Sequence, residues 1–586
     1  MNTQKYISTF RHLYWIALAI LLVMVSIRPV IADNALSKKN NQTGFLVLTA
    51  DRGFVGNEEI NDAFDMFTNE RNASLIFVTD ECTQKYLKAG LDMLLNKGAE
   101  RIVIIPLFIS AATPRYQLAR KLLEREKLTV PVSYAHPYGE SFFAVEDLAD
   151  KFRSIHHPAD TTVIVVGYGA TNDDSEQKMQ ADWKRIAEKA ATGFDFASVQ
   201  TLVAYEEKGE DAQQRTAELK QALANSHGAQ KRVDSKTKTI VVPFHFGPKH
   251  DNMMSFDARL KQLLPADVQL SSDGNSDTNS LVTWLQREAN RSQKLAAEDV
   301  GVVFLSHGAD FNWNETMREA VQPLMKHYKI ELVFSMADQS TIQRAIRKLE
   351  QRGARAAVIV RAFALEESFR SDIERMVGLD VEGEVQDVAD HTVHAGHGHG
   401  HHRAAASPPA RIRTALPIQS VGGLGSSPLF AAALLDRARA LSRNPARETV
   451  ILVAHGSRSD HQNEQWRKTL ESMTDHMRKA GGSDFQAIKV ATWREDWPDK
   501  RAPSIEEIRT MIEDVKKQGG RAIIIPARIT GQGFEKKFLA GLDYDLGSGF
   551  APHPLFVRWV EEQIKAGVAQ LDRYQEKALP RTEPSL

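Results

Sequence analysis

Histidine is the residue type in this sequence that could most readily do chemistry. The chain has 19 histidines but one cysteine, Cys82, in 586 residues. Intramolecular disulfides and thiolate clusters are therefore excluded, and a metal site must use His, Asp or Glu. His307 and His455 each directly follow an apolar run, in Ser306-His307-Gly308 and Ala454-His455-Gly456. Because imidazole binds transition metals and exchanges protons near neutral pH, these two residues are candidate metal ligands and catalytic groups.

A second group of histidines lies in one short tract. Residues 391–402 read HTVHAGHGHGHH and contain His391, His394, His397, His399, His401 and His402. The tract has too few apolar residues to build a core, so we expect an irregular segment whose imidazoles can wrap a metal ion. Because the signal is one of composition, a solvated loop with incidental metal affinity is the other interpretation.

The candidate histidines belong to a unit that recurs four times. Apolar runs that end in a small or polar tripeptide and lead into a helical pattern lie at residues 45–53, 163–170, 302–309 and 450–457. A second apolar run follows each of them, at residues 101–110, 239–247, 356–365 and 522–530. Such β-branched runs are typical of strands buried on both faces. Strands that alternate with helices predict a parallel sheet covered on both sides.

The spacing of the runs predicts how the repeats combine. The distance from the first run to the second is shorter in repeats one and three than in repeats two and four. We therefore expect repeat one to pair with repeat two and repeat three with repeat four. The predicted fold class is α/β, with tandem doubly wound parallel-sheet domains in which four repeats form two bilobed units. The predicted boundaries are 44–156, 161–295, 299–444 with the insertion 391–402, and 447–575.

The N-terminus has the pattern of a secretory signal peptide. Lys5 and Arg11 precede an apolar run from residue 13 to 27, and Val30-Ile31-Ala32 has the spacing of a cleavage site. We expect cleavage after Ala32, so that residues 1–32 are a signal peptide and the protein is periplasmic. The other interpretation is an uncleaved membrane anchor over residues 13–31, although the run is shorter than the roughly 20 residues that a span prefers.

Composition and absent motifs narrow the function classes. A net charge of -1 gives no electrostatic reason to expect nucleic acid as a partner. Hydrophobic content of 42% and charged content of 25% are ordinary for a soluble globular protein. The sequence has no Walker A loop, no G-x-G-x-x-G after a first strand, no H-E-x-x-H and no G-x-S-x-G. We therefore expect no nucleotide cofactor, and contact with a membrane only if the N-terminal segment stays uncleaved.

The motifs at the strand ends of the repeats resemble those of the sirohydrochlorin and cobalt chelatase family, the class II chelatases of the CbiX and SirB type. The resemblance is carried by residues 454–458 (AHGSR), 306–308 (SHG), 106–108 (PLF) and 243–245 (PFH), together with the histidine-rich tract. It implies chelatase-like two-lobed α/β domains and insertion of Co²⁺ or Fe²⁺, with Ni²⁺ in relatives, into sirohydrochlorin or a related tetrapyrrole. This is the lyase chemistry of cobalamin and siroheme biosynthesis, without ATP. The metal would be a substrate and the tetrapyrrole the small-molecule partner.

The sequence departs from the family pattern at the histidines. Members of the family carry one His after the first strand and a second in the loop after the P-x-F strand, and no repeat here carries both. The first position holds Asp51, Tyr168, His307 and His455, and near the second lie Pro114, His250 with His245, Phe369 and Phe534. A standard site is therefore not expected within a single repeat.

Two arrangements could complete a metal site. Pairing of repeats three and four could bring His307 and His455 across one cleft, with Glu366 or Glu367 supplying a carboxylate. In the first unit, His245, His250 and Asp51 could form a ligand set. Because ligands of parallel α/β sheets bind beyond the carboxyl ends of the strands, His307 and His455 are the stronger candidates.

Two functions from different classes remain open at this point. The first is an exported chelatase that inserts Co²⁺ or Fe²⁺ into a tetrapyrrole. The second is a non-catalytic extracytoplasmic carrier of a metal or tetrapyrrole. Export and the incomplete histidine pairs favour the carrier, whereas the family resemblance favours the enzyme. A scaffold without a ligand is made less attractive by the histidine-rich tract.

Overall fold

The computed structural model describes residues 42–69, 71–206, 211–233, 237–249, 254–271, 278–382, 408–531 and 533–578. The expected signal peptide, His250 and the tract 391–402 lie outside these residues. Within the described ranges, no helix is both long enough and apolar enough to cross a membrane.

The first two repeats each contain four strands and four principal helices. Repeat one consists of β1 (Thr43–Ala50), α1 (Gly53–Thr68), β2 (Asn72–Val78), α2 (Thr83–Asn96), β3 (Arg101–Leu107), α3 (Pro114–Glu124), β4 (Val132–Tyr134) and α4 (Phe142–Arg153). Repeat two consists of β5 (Thr161–Ala170), α5 (Asp173–Ala191), β6 (Ser198–Tyr205), α6 (Ala212–Val233), β7 (Lys238–Pro243), α7 (Phe256–Leu263), β8 (Gln269–Leu270) and α8 (Thr278–Arg291).

The last two repeats follow the same plan. Repeat three consists of β9 (Val300–Ser306), α9 (Phe311–Val321), β10 (Lys329–Phe334), α10 (Gln339–Gln351), β11 (Ala356–Ala362), α11 (Arg370–Met376), α12 (Leu379–Glu382), β12 (Ile418–Gly422) and α13 (Pro428–Leu441). Repeat four consists of β13 (Glu448–Ala454), α14 (Asp460–Lys479), β14 (Ala487–Thr492), α15 (Pro498–Lys517), β15 (Arg521–Pro526), α16 (Glu535–Phe538), β16 (Asp545–Leu546) and α17 (Pro554–Ala578).

All four described sheets have one topology. In each, the strand order is second, first, third, fourth, and the strands are parallel. The central strands are buried on both faces, as in Glu448–Ala454, where each residue is buried. The strand order changes direction between the first and third strands, which is where open α/β sheets bind ligands. The expected fold class, four parallel-sheet α/β repeats, is confirmed.

The closing helix of each repeat in the second pair packs on the other repeat. Phe556 of α17 lies edge-on to Phe304 of β9, with ring centroids 6.2 Å apart. The ring centroid of Phe430 in α13 lies 5.0 Å from that of Phe550 in repeat four. A Cβ added at Gly567 of α17 would overlap the side chain of Val358 in β11. Repeats three and four therefore share one apolar core.

The first pair exchanges its closing helices in the same way. Helix α4 packs on α5, and α8 packs on α1 and β3. Trp284 of α8 lies edge-on to Tyr138 of repeat one at 5.1 Å between ring centroids. The chain accordingly forms two compact units, each with two sheets, whose main boundary lies between Gln293 and Lys294. Of the later described residues, 408–410 and 577–578 group with the first unit. The predicted pairing of one with two and three with four is confirmed.

Two helical glycines provide a test of the exchange in the second pair. Gly567→Ala and Gly228→Ala each gain about 1 kcal/mol of helix propensity. A Cβ at Gly228 meets nothing within 4 Å, whereas one at Gly567 overlaps Val358. Overpacking costs about 1–3 kcal/mol. We expect Gly567→Ala to lower the free energy of unfolding and Gly228→Ala to leave it unchanged or raise it, measured by urea denaturation. Equal stabilisation by both substitutions would contradict the packing of α17 on β11.

Candidate functional site

Strand pairing gives every repeat a common reference point at the carboxyl edge of its sheet. Leu48, Val166, Leu305 and Val453 lie opposite Pro106, Pro243, Arg361 and Pro526, respectively. Two residues beyond the first set stand Ala50, Tyr168, His307 and His455. Two residues beyond the second set stand Phe108, His245, Phe363 and Arg528. The same two backbone positions therefore carry different chemistry in each repeat.

In repeat four, His455 faces two carboxylates. Its Nε2 lies 2.9 Å from Oδ2 of Asp496 and 3.9 Å from Oε1 of Glu495. Its Nδ1 lies 2.9 Å from the carbonyl oxygen of Gly456. The ring stacks on Trp466 and meets Trp497 edge-on, with centroids 6.0 and 5.7 Å away. Both ring nitrogens face acceptors, so a neutral imidazole, with one N–H, can donate to one of them at a time.

The carboxylates reach His455 because Arg494 redirects the chain after β14. Arg494 has a left-handed φ of 50°, and its N–H donates to the carbonyl of His455 at 2.7 Å. Its side chain donates to the carbonyl oxygens of Ser457 at 2.7 Å and Arg458 at 2.5 Å. These bonds hold the loops after β13 and β14 together. A left-handed non-glycine residue is energetically costly and persists where its surroundings hold it in place.

An ion pair across the loop strengthens this junction. Arg494 Nη1 lies 2.7 Å from Asp460, and Lys500 Nζ lies 2.9 Å from the same carboxylate. Hydrogen bonds from Lys500 and Arg494 hold the pKa of Asp460 below its ordinary value. Asp460 is the first residue of α14, so the start of that helix is tied to the loop that carries Glu495 and Asp496.

A third strand end adds Arg528 and Glu535 to the cluster. Nη2 of Arg528 lies 3.3 Å from Oε2 of Glu495 and 3.7 Å from Oε1 of Glu535. Glu535 is fully buried at the start of α16. Repeat four thus brings together His455, Glu495, Asp496, Arg528 and Glu535 at the edge where its first, second and third strands end.

Repeat three keeps the histidine without these carboxylates. His307 is exposed, and its Nδ1 lies 2.6 Å from the carbonyl of Gly308, as in repeat four. By strand pairing, Ala337 and Asp338 occupy the positions of Glu495 and Asp496. Asp338 caps α10 by accepting from the Thr341 N–H, and hydrogen bonds from Ser340 and Thr341 lower its pKa. The hydrogen bonds of His307 and His455 lie within their own repeats, so their joint action across a cleft stays a prediction.

Glu366 and Glu367 have contacts within the loop after β11, and their role as a carboxylate ligand beside His307 stays a prediction. Arg361 is buried and donates from Nη1 to the carbonyl oxygen of Glu366 at 2.7 Å. The carboxylate of Glu367 lies 3.3 Å from Arg370. Burial lowers the pKa of Arg361. The main-chain bonds of this arginine shape the loop that follows β11.

In repeat one, Asp51 lies one residue beyond the histidine position. Strand pairing puts Ala50 there, since Leu48 lies opposite Pro106, and β1 ends at Ala50, directly before Asp51. Oδ1 of Asp51 accepts from the N–H of Gly53 at 3.1 Å and from Asn57 at 2.8 Å. Asp51 therefore organises the start of α1, and a metal-binding role for it stays a prediction.

The edges of repeats one and two are joined by an ion pair. Arg115 at the start of α3 donates to both carboxylate oxygens of Glu206, at 2.9 and 2.6 Å. The hydrogen bonds that Arg115 donates to Glu206 raise the pKa of Arg115. Bidentate pairs of this kind combine strength with fixed geometry. The first unit thus uses its strand ends for contacts between its two repeats.

His245 is buried, and both of its ring nitrogens are engaged. Nε2 lies 2.7 Å from Oδ1 of Asp257, and Nδ1 accepts from the N–H of Gly247 at 2.8 Å. Burial lowers the pKa of His245, against the opposing effect of Asp257. These contacts correspond to a neutral imidazole with its proton on Nε2. A metal could reach this ring only by replacing one of them, so the ligand set with His250 and Asp51 stays a prediction.

Sequence reasoning missed the acidic half of the cluster in repeat four. Arg528 was visible as a departure from the P-x-F pattern, and Glu495-Asp496 follows an apolar run as His455 does. Glu535 follows a loop and gave no such signal. Within the described ranges, no group of three or more His, Cys, Asp or Glu side chains is arranged to hold a metal ion. Glu495 and Asp496 are bonded instead to Arg528 and His455.

A family comparison identifies one of the repeats. Residues 301–441 match the model of the CbiX family. The third repeat is thus similar to the CbiX family. The family resemblance drawn from the sequence is thereby confirmed, on the repeat that carries His307. Repeat four shares the strand order of repeat three and adds the carboxylates of Glu495 and Asp496 beside its histidine. No curated protein matches the chain.

Three solved structures are similar to the chain. One is a multi-domain protein from Deinococcus radiodurans, described as structurally similar to chelatases but with two additional novel domains. It is 16% identical to this chain with a TM-score of 0.32, and the match covers 46% of this chain and 56% of the Deinococcus protein. Sirohydrochlorin chelatase SirB from Bacillus subtilis subspecies spizizenii, in complex with cobalt, is 16% identical with a TM-score of 0.30 over 43% of this chain and 96% of its own. SirB from Bacillus subtilis with Fe³⁺ is 16% identical with a TM-score of 0.29 over 42% of this chain and 95% of its own. The chain thus spans little more than half of the Deinococcus protein.

The buried imidazole of His245 predicts a dependence of stability on pH. The folded state resists protonation, whereas the unfolded chain takes up a proton near pH 6.5. The contribution of neutral His245 to the free energy of unfolding is therefore complete above about pH 6.5. It is lost as pH falls below that value, by up to about 1.4 kcal/mol per pH unit. Phe108 and Phe363 occupy the matching position, so we expect His245→Phe to fold and to show a smaller loss of stability between pH 7.5 and 5.5. Urea unfolding at both pH values measures this, with His307→Phe as the exposed control. An unchanged pH dependence in His245→Phe would contradict it.

Proposed function

We propose that this protein is a chelatase that takes Co²⁺ or Fe²⁺ as substrate at repeat four and inserts it into sirohydrochlorin or a related tetrapyrrole. The observation that carries the proposal is the cluster at the carboxyl edge of the fourth sheet, where His455 faces Asp496 and Glu495. The similarity of repeat three, next to it in the chain, to the CbiX family supports chelatase-type chemistry in general. The SirB structures, which hold cobalt and Fe³⁺, suggest the choice of metals.

The donor atoms of the cluster suit such an ion. Imidazole nitrogen and carboxylate oxygen both bind Co²⁺, Fe²⁺ and Ni²⁺. Because Nδ1 of His455 is oriented by the Gly456 carbonyl, Nε2 is the nitrogen presented for coordination. An ion that binds Nε2 replaces the contact with Asp496, whose carboxylate then becomes a free acceptor.

Metal insertion also requires that protons be removed. Two pyrrole N–H protons leave when a divalent ion enters the macrocycle. The carboxylate of Asp496 is half-exposed, and a base placed beside the ligand can accept a proton and pass it to water. The rings of Trp466 and Trp497 flank His455 and give the cluster apolar walls. His455 thus serves as ligand and Asp496 as base in this proposal.

Substitution of His455 tests the assignment. We expect His455→Ala to lower the rate of Co²⁺ insertion into sirohydrochlorin by about 100-fold, because the nitrogen ligand is lost. The absorbance change is followed against the non-enzymatic rate. His461→Ala removes an exposed histidine of the same repeat and should retain the wild-type rate. His307→Ala should have a smaller effect than His455→Ala, because the carboxylates stand in repeat four.

The same experiment separates the enzyme from a carrier. The incomplete histidine pairs of the repeats favour a carrier. Tight binding of Co²⁺ or sirohydrochlorin by the wild-type protein, with no acceleration over the non-enzymatic rate, would replace the chelatase proposal by the carrier.

Export of the protein is proposed from the N-terminal sequence pattern. We expect the mature chain to begin at Asp33 and to be recovered from the periplasm, because residues 1–32 have the three regions of a signal peptide. N-terminal sequencing of the purified protein measures this. An intact N-terminus in the membrane fraction would instead favour the anchor over residues 13–31.

A further inference from the structure

The guanidinium of Arg528 in repeat four is the positive charge next to two buried carboxylates, those of Glu495 and Glu535. Glu535 is fully buried, and its Oε2 accepts from the N–H of Gly533 at 2.5 Å. Its Oε1 is also buried and accepts no hydrogen bond from the described residues. The side chain of Glu495 is 7% exposed. Arg528, with Nη2 at 3.3 Å from Glu495 and 3.7 Å from Glu535, is the positive charge between them.

The guanidinium of Arg528, whose side chain is 23% exposed, is held weakly by the two carboxylates. Charge-assisted N–H···O bonds are usually about 2.7–2.9 Å long, so the bond from Arg528 to Glu495 is long. Nε of Arg528 is buried and has no hydrogen-bond partner in the described part of the chain. A guanidinium offers five N–H donors, and here most of its hydrogen-bonding capacity toward carboxylates is unused. A second cation could therefore displace it at modest cost.

The absence of a side chain at residue 533 makes room for the guanidinium. A Cβ added at Gly533 would lie 2.5 Å from Nη1 and 2.7 Å from Nη2 of Arg528. The position of Arg528 can thus be changed without removal of its charge.

We propose that Arg528 is an internal counter-ion that competes with a divalent cation for Glu495 and Glu535. The inference rests on the proposed function, since it concerns metal entry beside His455. Glu495 links the two sites, because its Oε1 approaches Nε2 of His455 and its Oε2 accepts from Arg528. Two carboxylates and an imidazole match the charge and donor preference of a Co²⁺-type ion once the guanidinium has moved away. Arg528 then sets the affinity of the metal substrate.

Two variants test this role in different ways. Arg528→Gln removes the charge, and Gly533→Ala displaces the guanidinium but keeps its charge. Both are made in the full chain with the six histidines of the tract 391–402 replaced by asparagine, so that the tract does not bind the probe. Co²⁺ is the probe, its affinity is measured by calorimetric titration, and the Co²⁺-induced shift of the thermal transition is a second readout. Arg467→Gln is the control, because Arg467 is about as exposed as Arg528 but pairs with Glu507, a carboxylate that is not buried.

We expect Arg528→Gln and Gly533→Ala each to bind Co²⁺ at least ten-fold more tightly than the background chain. Arg467→Gln should match the background, and addition of Glu535→Gln should remove the gain. Unpaired buried carboxylates are destabilising, so Co²⁺ should raise the thermal transition of Arg528→Gln more than that of the background. If Arg528→Gln does not fold without metal, Gly533→Ala decides the question. Equal or weaker Co²⁺ affinity in Gly533→Ala would overturn the counter-ion role.

The outcome is distinguishable from failure of the proposed function. If both variants bind Co²⁺ more tightly but His455→Ala leaves metal insertion unchanged, the counter-ion role stands and the chelatase assignment fails. If insertion depends on His455 while Co²⁺ affinity is indifferent to Arg528 and Gly533, the assignment stands and the counter-ion role fails.

Discussion

The burial of both faces of each parallel sheet is the constraint on which the rest of the structure depends. Strands of Val, Ile and Leu cannot leave either face in contact with water. The helices between the strands of one repeat leave part of that area uncovered. The closing helix of the paired repeat covers the remainder, as Phe556 of α17 does against Phe304 of β9. One fully buried Phe contributes about 1.5–3 kcal/mol, so the exchanged helix stabilises the neighbouring sheet substantially.

One topology serves two different purposes at the carboxyl edge. In the first unit, Arg115 and Glu206 join the two repeats, and His245 is locked between Asp257 and Gly247. In repeat four, the same edge presents His455 to carboxylates. The backbone positions are equivalent by strand pairing, so the difference lies in the side chains and the loops that follow. The fold thus places residues at equivalent positions in each repeat. The side chain at each position determines whether it makes structural contacts or could take part in a reaction.

Much of this fold follows from the sequence, because buried parallel strands are continuous apolar runs. The pairing of repeats also followed, since the spacing of those runs alternates. Strand pairing matches Ala50, rather than Asp51, to the histidine position, because an apolar run alone does not fix the register of β1 against β3. The closing strand and helix of repeat three, Ile418–Gly422 and Pro428–Leu441, follow the insertion 391–402 within the predicted boundary of 299–444.

The candidate site was less predictable than the fold, because loop paths decide it. Glu495 reaches His455 through the left-handed Arg494, and arginine has no special preference for that conformation. Glu535 joins through a loop and a helix of four residues, whose course no periodic pattern encodes. His307 and His455 were identified because they stand directly at strand ends, where the backbone direction is already set.

The exchange of closing helices also limits how such a protein can grow. A single repeat added to or lost from the chain would leave one sheet without the helix that covers it, and one helix without its sheet. Two adjacent repeats, by contrast, are complete in themselves. Duplication within this architecture is therefore expected to proceed in steps of two, and an even number of sheets is a property of its ancestry as much as of its packing.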